Sequence, residues 1–316
     1  MHTSLLKILF ITVFLGACSS SRNSKQALND NAIEVSNSTE PLIADDRKPQ
    51  SLMDLPQSQD GGFVLAPGFY ETEFKTYCLQ PGTPDPSQGD AYLQGPVTGY
   101  RKDIIESVLL NSKEHSQMDQ RNIQLLLWSV VSNSNFNKLS SHVQADATKL
   151  LTPKQVFQLK GGVAGVIKTV SSSTNLFNAD KGMQNLFDKG IHSYESFERI
   201  AVLREKSKLT RKNVKYDKWY KQEENYYVRY FPVSYKKVRV QVYVPDSLMD
   251  AENKISGEYV VFDPTGQQAI PAFTNAQRLG IGAPVVVDIV RAVIKVNKKP
   301  APPKKAPAKK DPKVVS

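Results

Sequence analysis

The chain has 316 residues, 41 Lys and Arg against 31 Asp and Glu, a formal net charge of +10 and 40% hydrophobic residues. That length allows one large domain or two modest ones, and the apolar fraction excludes a chain that is disordered throughout. Cys18 and Cys78 are the only cysteines, which excludes a disulfide-stapled scaffold.

Lys7 precedes an uninterrupted apolar stretch from Ile8 to Leu15. A bilayer needs about 20 apolar residues, so this shorter stretch with its positive flank reads as a secretory signal. Leu15, Gly16, Ala17 and Cys18 stand at its end, followed by Ser19, Ser20 and Ser21. The junction resembles the lipobox of bacterial lipoproteins and departs from it only in Gly16, at the position before Ala17. The resemblance implies cleavage before Cys18, diacylglycerol in thioether linkage on its sulfur, and an acyl chain such as palmitate on its new amino group. Several chains anchor stably, because each buried CH₂ contributes about 0.8 kcal/mol. Ser19 in place of Asp implies the outer membrane. SSSRNSK in place of an acidic cluster implies its periplasmic face. The resemblance covers the signal segment and says nothing of the mature fold. With Cys18 acylated, Cys78 has no intramolecular partner, and its neighbours in FKTYCLQPG read as the surroundings of a buried thiol.

Basic charge is concentrated in two places. Residues 204–221 hold eight Lys and Arg with Glu205 and Asp217, and residues 298–316 hold seven Lys with Asp311. In an exported chain this points to an anionic envelope polymer, lipid head groups or an envelope protein complex as partner, and away from nucleic acid.

Residues 18–60 are rich in Ser, Asn, Asp and Gln with no sustained apolar period, and read as a flexible tether. Residues 61–100 alternate short apolar pieces with Pro and Gly too dense for helix, giving one or two strands and a loop, PGTPDPSQGD. Asp85 and Asp90 in that loop lack the further acidic positions of a calcium loop.

From 101 to 206 the period becomes helical. Ile123, Leu126, Leu127, Val130 and Val131 form one apolar face, with Asp119 as N-cap. Val143, Ala147, Leu150 and Leu151 form another, capped by Ser140 or Ser141. Thr152, Pro153 and Gln155 spell a capping box with proline at the first helical position, and Gly161–Gly162 stop that helix. GVAGVIKTV follows, then a short echo, NLFNADKG and NLFDKG, too brief to be an architectural repeat. The whole segment reads as an antiparallel bundle of helices.

Beyond about residue 213, KKVRVQVYVP alternates Val238, Val240, Val242 and Val244 with polar positions, the pattern of a half-buried strand. NYYVRYFPV reads as a second strand, and EYVVFDPTGQQAI as a hairpin turning at Asp263, Pro264 and Gly266. APVVVDIVRAVIKV reads as a terminal helix with Pro284 at its start. Residues 297–316, rich in Lys and Pro, read as a disordered tail. The expected fold is therefore α+β. A mainly helical domain at 61–206, with an N-terminal strand and loop segment, precedes a basic linker and small antiparallel β domain with a terminal helix at 207–296.

No spacing marks a metal or cofactor site: there is no C-x-x-C, H-x-x-x-H, H-E-x-x-H, phosphate-cradling loop or G-x-S-x-G. His115, His142 and His192 lie in no recognisable motif. The densest unusual feature is KYDKWYKQEENYYVRYFPVSYKK, where Trp219, Tyr220, Tyr226, Tyr227, Arg229, Tyr230 and Tyr235 read either as a binding surface or as the core of a small sheet. The expected function is a non-enzymatic scaffold or binding subunit of the envelope, with no catalytic residue, cofactor or metal. The alternatives are an accessory subunit of an outer-membrane assembly or secretion machine, and a thiol hydrolase using Cys78.

Overall fold

The computed structural model describes residues 48–87, 89–99, 101–161, 185, 189–204, 216–272, 276–285 and 292–296, all within the compact unit Val35–Ser316. The signal segment, Cys18, most of the expected tether, GVAGVIKTV, most of the NLF echo, the basic residues 205–215 and the Lys/Pro-rich tail lie outside the described residues.

The chain is strand-rich. Strands β1 (Gln50–Ser51), β2 (Gln57–Ser58), β3 (Phe63–Val64), β4 (Gly68–Cys78), β5 (Thr83–Pro84) and β6 (Tyr92–Pro96) come first. Helices α1 (Lys102–Asn111), α2 (Gln120–Val131), α3 (Ser141–Leu150), α4 (Pro153–Leu159) and α5 (Tyr194–Ala201) follow. Then come β7 (Val202–Leu203), β8 (Tyr220–Lys221), β9 (Tyr227–Ser234), β10 (Lys237–Val244), β11 (Val261–Phe262), β12 (Gln267–Pro271), β13 (Leu279–Pro284) and β14 (Val293–Ile294).

Six of these strands close into an antiparallel barrel in the order β4-β10-β9-β6-β12-β13, with β13 pairing back onto β4. Closure leaves no open edge at the seam, where Leu279 lies opposite Cys78 and Ile281 opposite Thr76. Val238, Val240, Val242 and Val244 are fully buried, and their neighbours in register include Phe74, Tyr70, Tyr230 and Val228. The alternation that announced a half-buried strand thus fills a barrel interior. Short strands add to the outside: β1 runs parallel to β4, and β8 pairs with β9. Two smaller sheets have the orders β11-β3-β2-β14 and β5-β7.

This overturns the expected helical bundle followed by a small β domain. The barrel draws β4 and β6 from before the helices and β9, β10, β12 and β13 from after them, so the helices are an insertion in one β body. The expected hairpin also differs: β11 pairs with β3, and β12 pairs with β6 and β13. A turn is present one residue later than expected, over 264–267, closed by Gln267 N–H donating to the Pro264 carbonyl at 3.1 Å, and it connects two sheets. Of the terminal helix expected over 283–296, Ala283 and Pro284 instead end β13, Val293–Ile294 form β14, and 286–291 lie outside the described residues.

The helix starts follow their local signals. Asp119 accepts from Arg121 N–H, Ser140 from Val143 N–H, and Thr152 and Gln155 form a reciprocal capping box behind Pro153. Helix α2 seats the insertion on the barrel through two glutamines one turn apart. Gln124 Oε1 accepts from Cys78 N–H at 2.8 Å while its Nε2 donates to the Cys78 carbonyl at 3.0 Å. Gln120 Nε2 donates to the carbonyls of Thr76 at 3.0 Å and Lys236 at 2.7 Å. Beneath them the buried Trp128 ring stacks on Phe197 of α5, with centroids 4.9 Å apart, and lies 6.1 Å from Tyr235 at the β9–β10 turn.

Candidate functional site

The aromatic-basic segment divides between two layers. Tyr226, Tyr230 and Tyr235 are buried in the main core, where Tyr230 donates to Gln94. Trp219 is buried on the outer face of the sheet in a small cluster with Phe69 and Tyr243, against which the half-buried Tyr227 packs, and Tyr220 is also buried. Arg229 covers this cluster, its guanidinium 4.2 Å from the Trp219 ring, and it pairs with Asp217 and Gln241 at 2.6 Å each. Beside it Arg239 lies over Phe231 and pairs with Glu71. Arg229 and Arg239 are therefore matched by groups already on this face.

Cys78 is fully buried against Trp128, and burial pushes its thiol from an ordinary 9.0 up to about 12, further than its polar neighbours lower it. No imidazole hydrogen-bonds the thiol among the described residues. An unfolded thiol ionises near 9 while the folded one keeps its proton to about 12. Between those values the unfolded state binds fewer protons, so stability falls as pH rises, by up to about 1.4 kcal/mol per pH unit. Urea melts at about pH 8 and about pH 10 should show a larger alkaline loss for the native chain than for Cys78→Ala, and equal losses would contradict this burial.

Near this thiol, a polar chain ties α5 to the barrel. Tyr194 donates to Tyr235, Tyr235 donates to Glu198, and Lys236 Nζ lies 3.2 Å from Glu198 Oε1. Burial raises Glu198, but the Tyr235 hydroxyl and Lys236 outweigh it and hold the carboxyl below its ordinary value. Asp85 accepts from Tyr235 N–H at 2.9 Å, and burial raises its carboxyl despite that bond. All these groups are committed to one another, as in a structural clamp.

The open site lies on the helical side. Residues Glu114, His115, Ser116, Gln117, Met118 and Asp119, between α1 and α2, face Asn122 of α2 and His142, Ala145, Asp146 and Lys149 of α3 across a groove of about 560 Å³. Its frame is fixed. Lys75 Nζ on β4 donates to the Ser116 carbonyl at 2.9 Å, and Asn122 Nδ2 donates to Asp146 at 2.8 Å. Met118 packs against the core below. By contrast, the side chains of Glu114, His115, Gln117 and His142 have no hydrogen bond or ion pair among the described residues. Three carboxylates, Glu114, Asp119 and Asp146, and one ammonium, that of Lys149 at 3.5 Å from Asp146, line the groove, so the carboxylates outnumber the ammonium. Among the described residues no three His, Cys, Asp or Glu side chains converge on a metal position.

Sequence reasoning treated His115 and His142 as isolated. A usable signal was present in α3: His142, Ala145, Asp146 and Lys149 recur at i, i+3, i+4 and i+7, a stripe distinct from the apolar Val143, Ala147 and Leu150. No family model matches this chain, and no curated protein or solved structure matches it significantly.

Proposed function

We propose that this chain is a lipid-anchored, non-enzymatic binding protein of the outer membrane, and that the groove between the α1–α2 connection and α3 holds a basic peptide segment of a partner in the envelope. The observation that carries the reading is the set of four unpartnered polar side chains, Glu114, His115, Gln117 and His142, on the wall of one groove in which carboxylates outnumber the ammonium. Carboxylate, imidazole and amide oxygen all accept hydrogen bonds, which is what a lysine ammonium offers. A thiol hydrolase is disfavoured because Cys78 is buried and protonated at neutral pH.

The anchor rests on Leu15-Gly16-Ala17-Cys18. Cys18→Ser is expected to move the protein from the membrane pellet to the soluble envelope fraction and to abolish palmitate labelling. Retention in the pellet with unchanged labelling would remove the anchor from the account. For the groove, titration of the native protein with an oligolysine peptide at low salt should give saturable binding. The triple variant Glu114→Gln, Asp119→Asn, Asp146→Asn should lose on the order of tenfold in affinity, because each exposed pair contributes at most about 1 kcal/mol. Equal affinity for the two proteins would sink the reading.

A further inference from the structure

The geometry points to a specific occupant: we propose that the Lys/Pro-rich segment 297–316 of this same chain docks in the groove, its lysines meeting Glu114, Asp119 and Asp146. The proposal rests on the reading that the groove takes a basic peptide, and adds which peptide that is.

Three observations carry it. The first is direction. Strand β14 runs parallel to β2, with Val293 opposite Gln57 and Ile294 opposite Ser58, so the chain leaves β14 heading the way β2 heads, toward Asp60. The Asp60 carbonyl accepts from Lys113 Nζ at 2.7 Å, and Lys113 immediately precedes Glu114 at the groove. The exit of the last described strand is thus placed beside the groove.

The second is reach. Strands lie about 4.8 Å apart and each residue advances about 3.3 Å, so the path from Ile294 by way of Ser58 and Asp60 to the groove is on the order of 20 Å. Twenty residues at about 3.1 Å each span roughly 60 Å, which is ample.

The third is charge. The segment carries seven Lys and one Asp, and the groove lining carries Glu114, Asp119 and Asp146 against Lys149. Five prolines in the segment restrict its backbone and lower the entropy lost on docking.

The test uses the full chain. A zero-length carbodiimide reagent, applied to dilute protein at low salt, joins a lysine to a carboxylate only when they touch. Peptide mapping by mass spectrometry should find lysines 298–313 joined to Glu114, Asp119 or Asp146. Those links should vanish in high salt and in the triple variant Glu114→Gln, Asp119→Asn, Asp146→Asn. A mixture of ¹⁴N and ¹⁵N protein should give links of one isotope only, and mixed-isotope links would overturn docking within one chain in favour of exchange between copies. Tail lysines joined to none of the three, or equally to carboxylates elsewhere, would also overturn it. Added oligolysine separates the two ideas: if it links to these carboxylates while the tail does not, the groove reading stands and this occupant is wrong. If neither links, both fall.

Discussion

Replacing Gln124 by Met is expected to destabilise the protein by about 2–6 kcal/mol, because two buried backbone groups each lose a partner at about 1–3 kcal/mol. Gln124 is only 2% exposed, and its amide satisfies both the N–H and the carbonyl of Cys78 at the end of β4, as a neighbouring strand would. Methionine has nearly the same volume but no donor, and its thioether is a weak acceptor, so the loss isolates the hydrogen bonds from packing. The check is the urea midpoint at constant m-value. A change below about 0.5 kcal/mol, the ordinary range of surface substitutions, would mean that α2 does not cap the barrel through this residue.

Trp128→Ala is expected to cost about 3–5 kcal/mol, the range for removing a large aromatic side chain from a core. The indole is fully buried and packs against three aromatic rings on two elements: Phe197 and Tyr194 on α5, and Tyr235 at the β9–β10 turn. Its loss should also open a path to Cys78, which lies against it. Thiol labelling under native conditions should therefore accelerate in the variant well beyond the native rate. If labelling stays as slow as in the native protein while stability falls, Trp128 supports the core without shielding the thiol.

Local signals and long-range closure fared differently in the sequence. The caps at Asp119, Ser140 and Thr152 were legible because a cap is decided by residues three apart, and the apolar face of α2 because a helix repeats within a few residues. The barrel was not legible. Its closing pairs, such as Leu279 with Cys78, lie far apart in sequence, and nothing local records them. Strand β13, LGIGAP, also carries little strand pattern, since it holds two glycines and a proline. The structure supplies the reason for those glycines. A Cβ at Gly280 would come within 2.9 Å of the Leu109 side chain on α1, and one at Gly282 within 2.7 Å of the Tyr77 ring. The glycines let the inserted helices lie directly on the barrel wall.

The aromatic-basic stretch misleads for a related reason. In a strand, alternate residues face opposite ways, so a run of consecutive aromatics must serve both faces. Tyr230 goes to the interior and Phe231 to the outside, where Arg239 covers it. The density of aromatics therefore marks a sheet packed on both sides. The groove was hidden because its two walls, 114–119 and the polar stripe of α3, meet only after α2 folds between them.

The most direct test of the central claim is to follow the imidazole resonances of His115, His142 and His192 while the native protein is titrated with oligolysine at low salt. His115 and His142 line the groove, whereas the exposed His192 precedes α5 and does not. The account predicts that the first two shift together and saturate with one affinity while His192 stays still, and that salt reverses the shift. Three unmoved resonances, or movement of His192 alone, would contradict it.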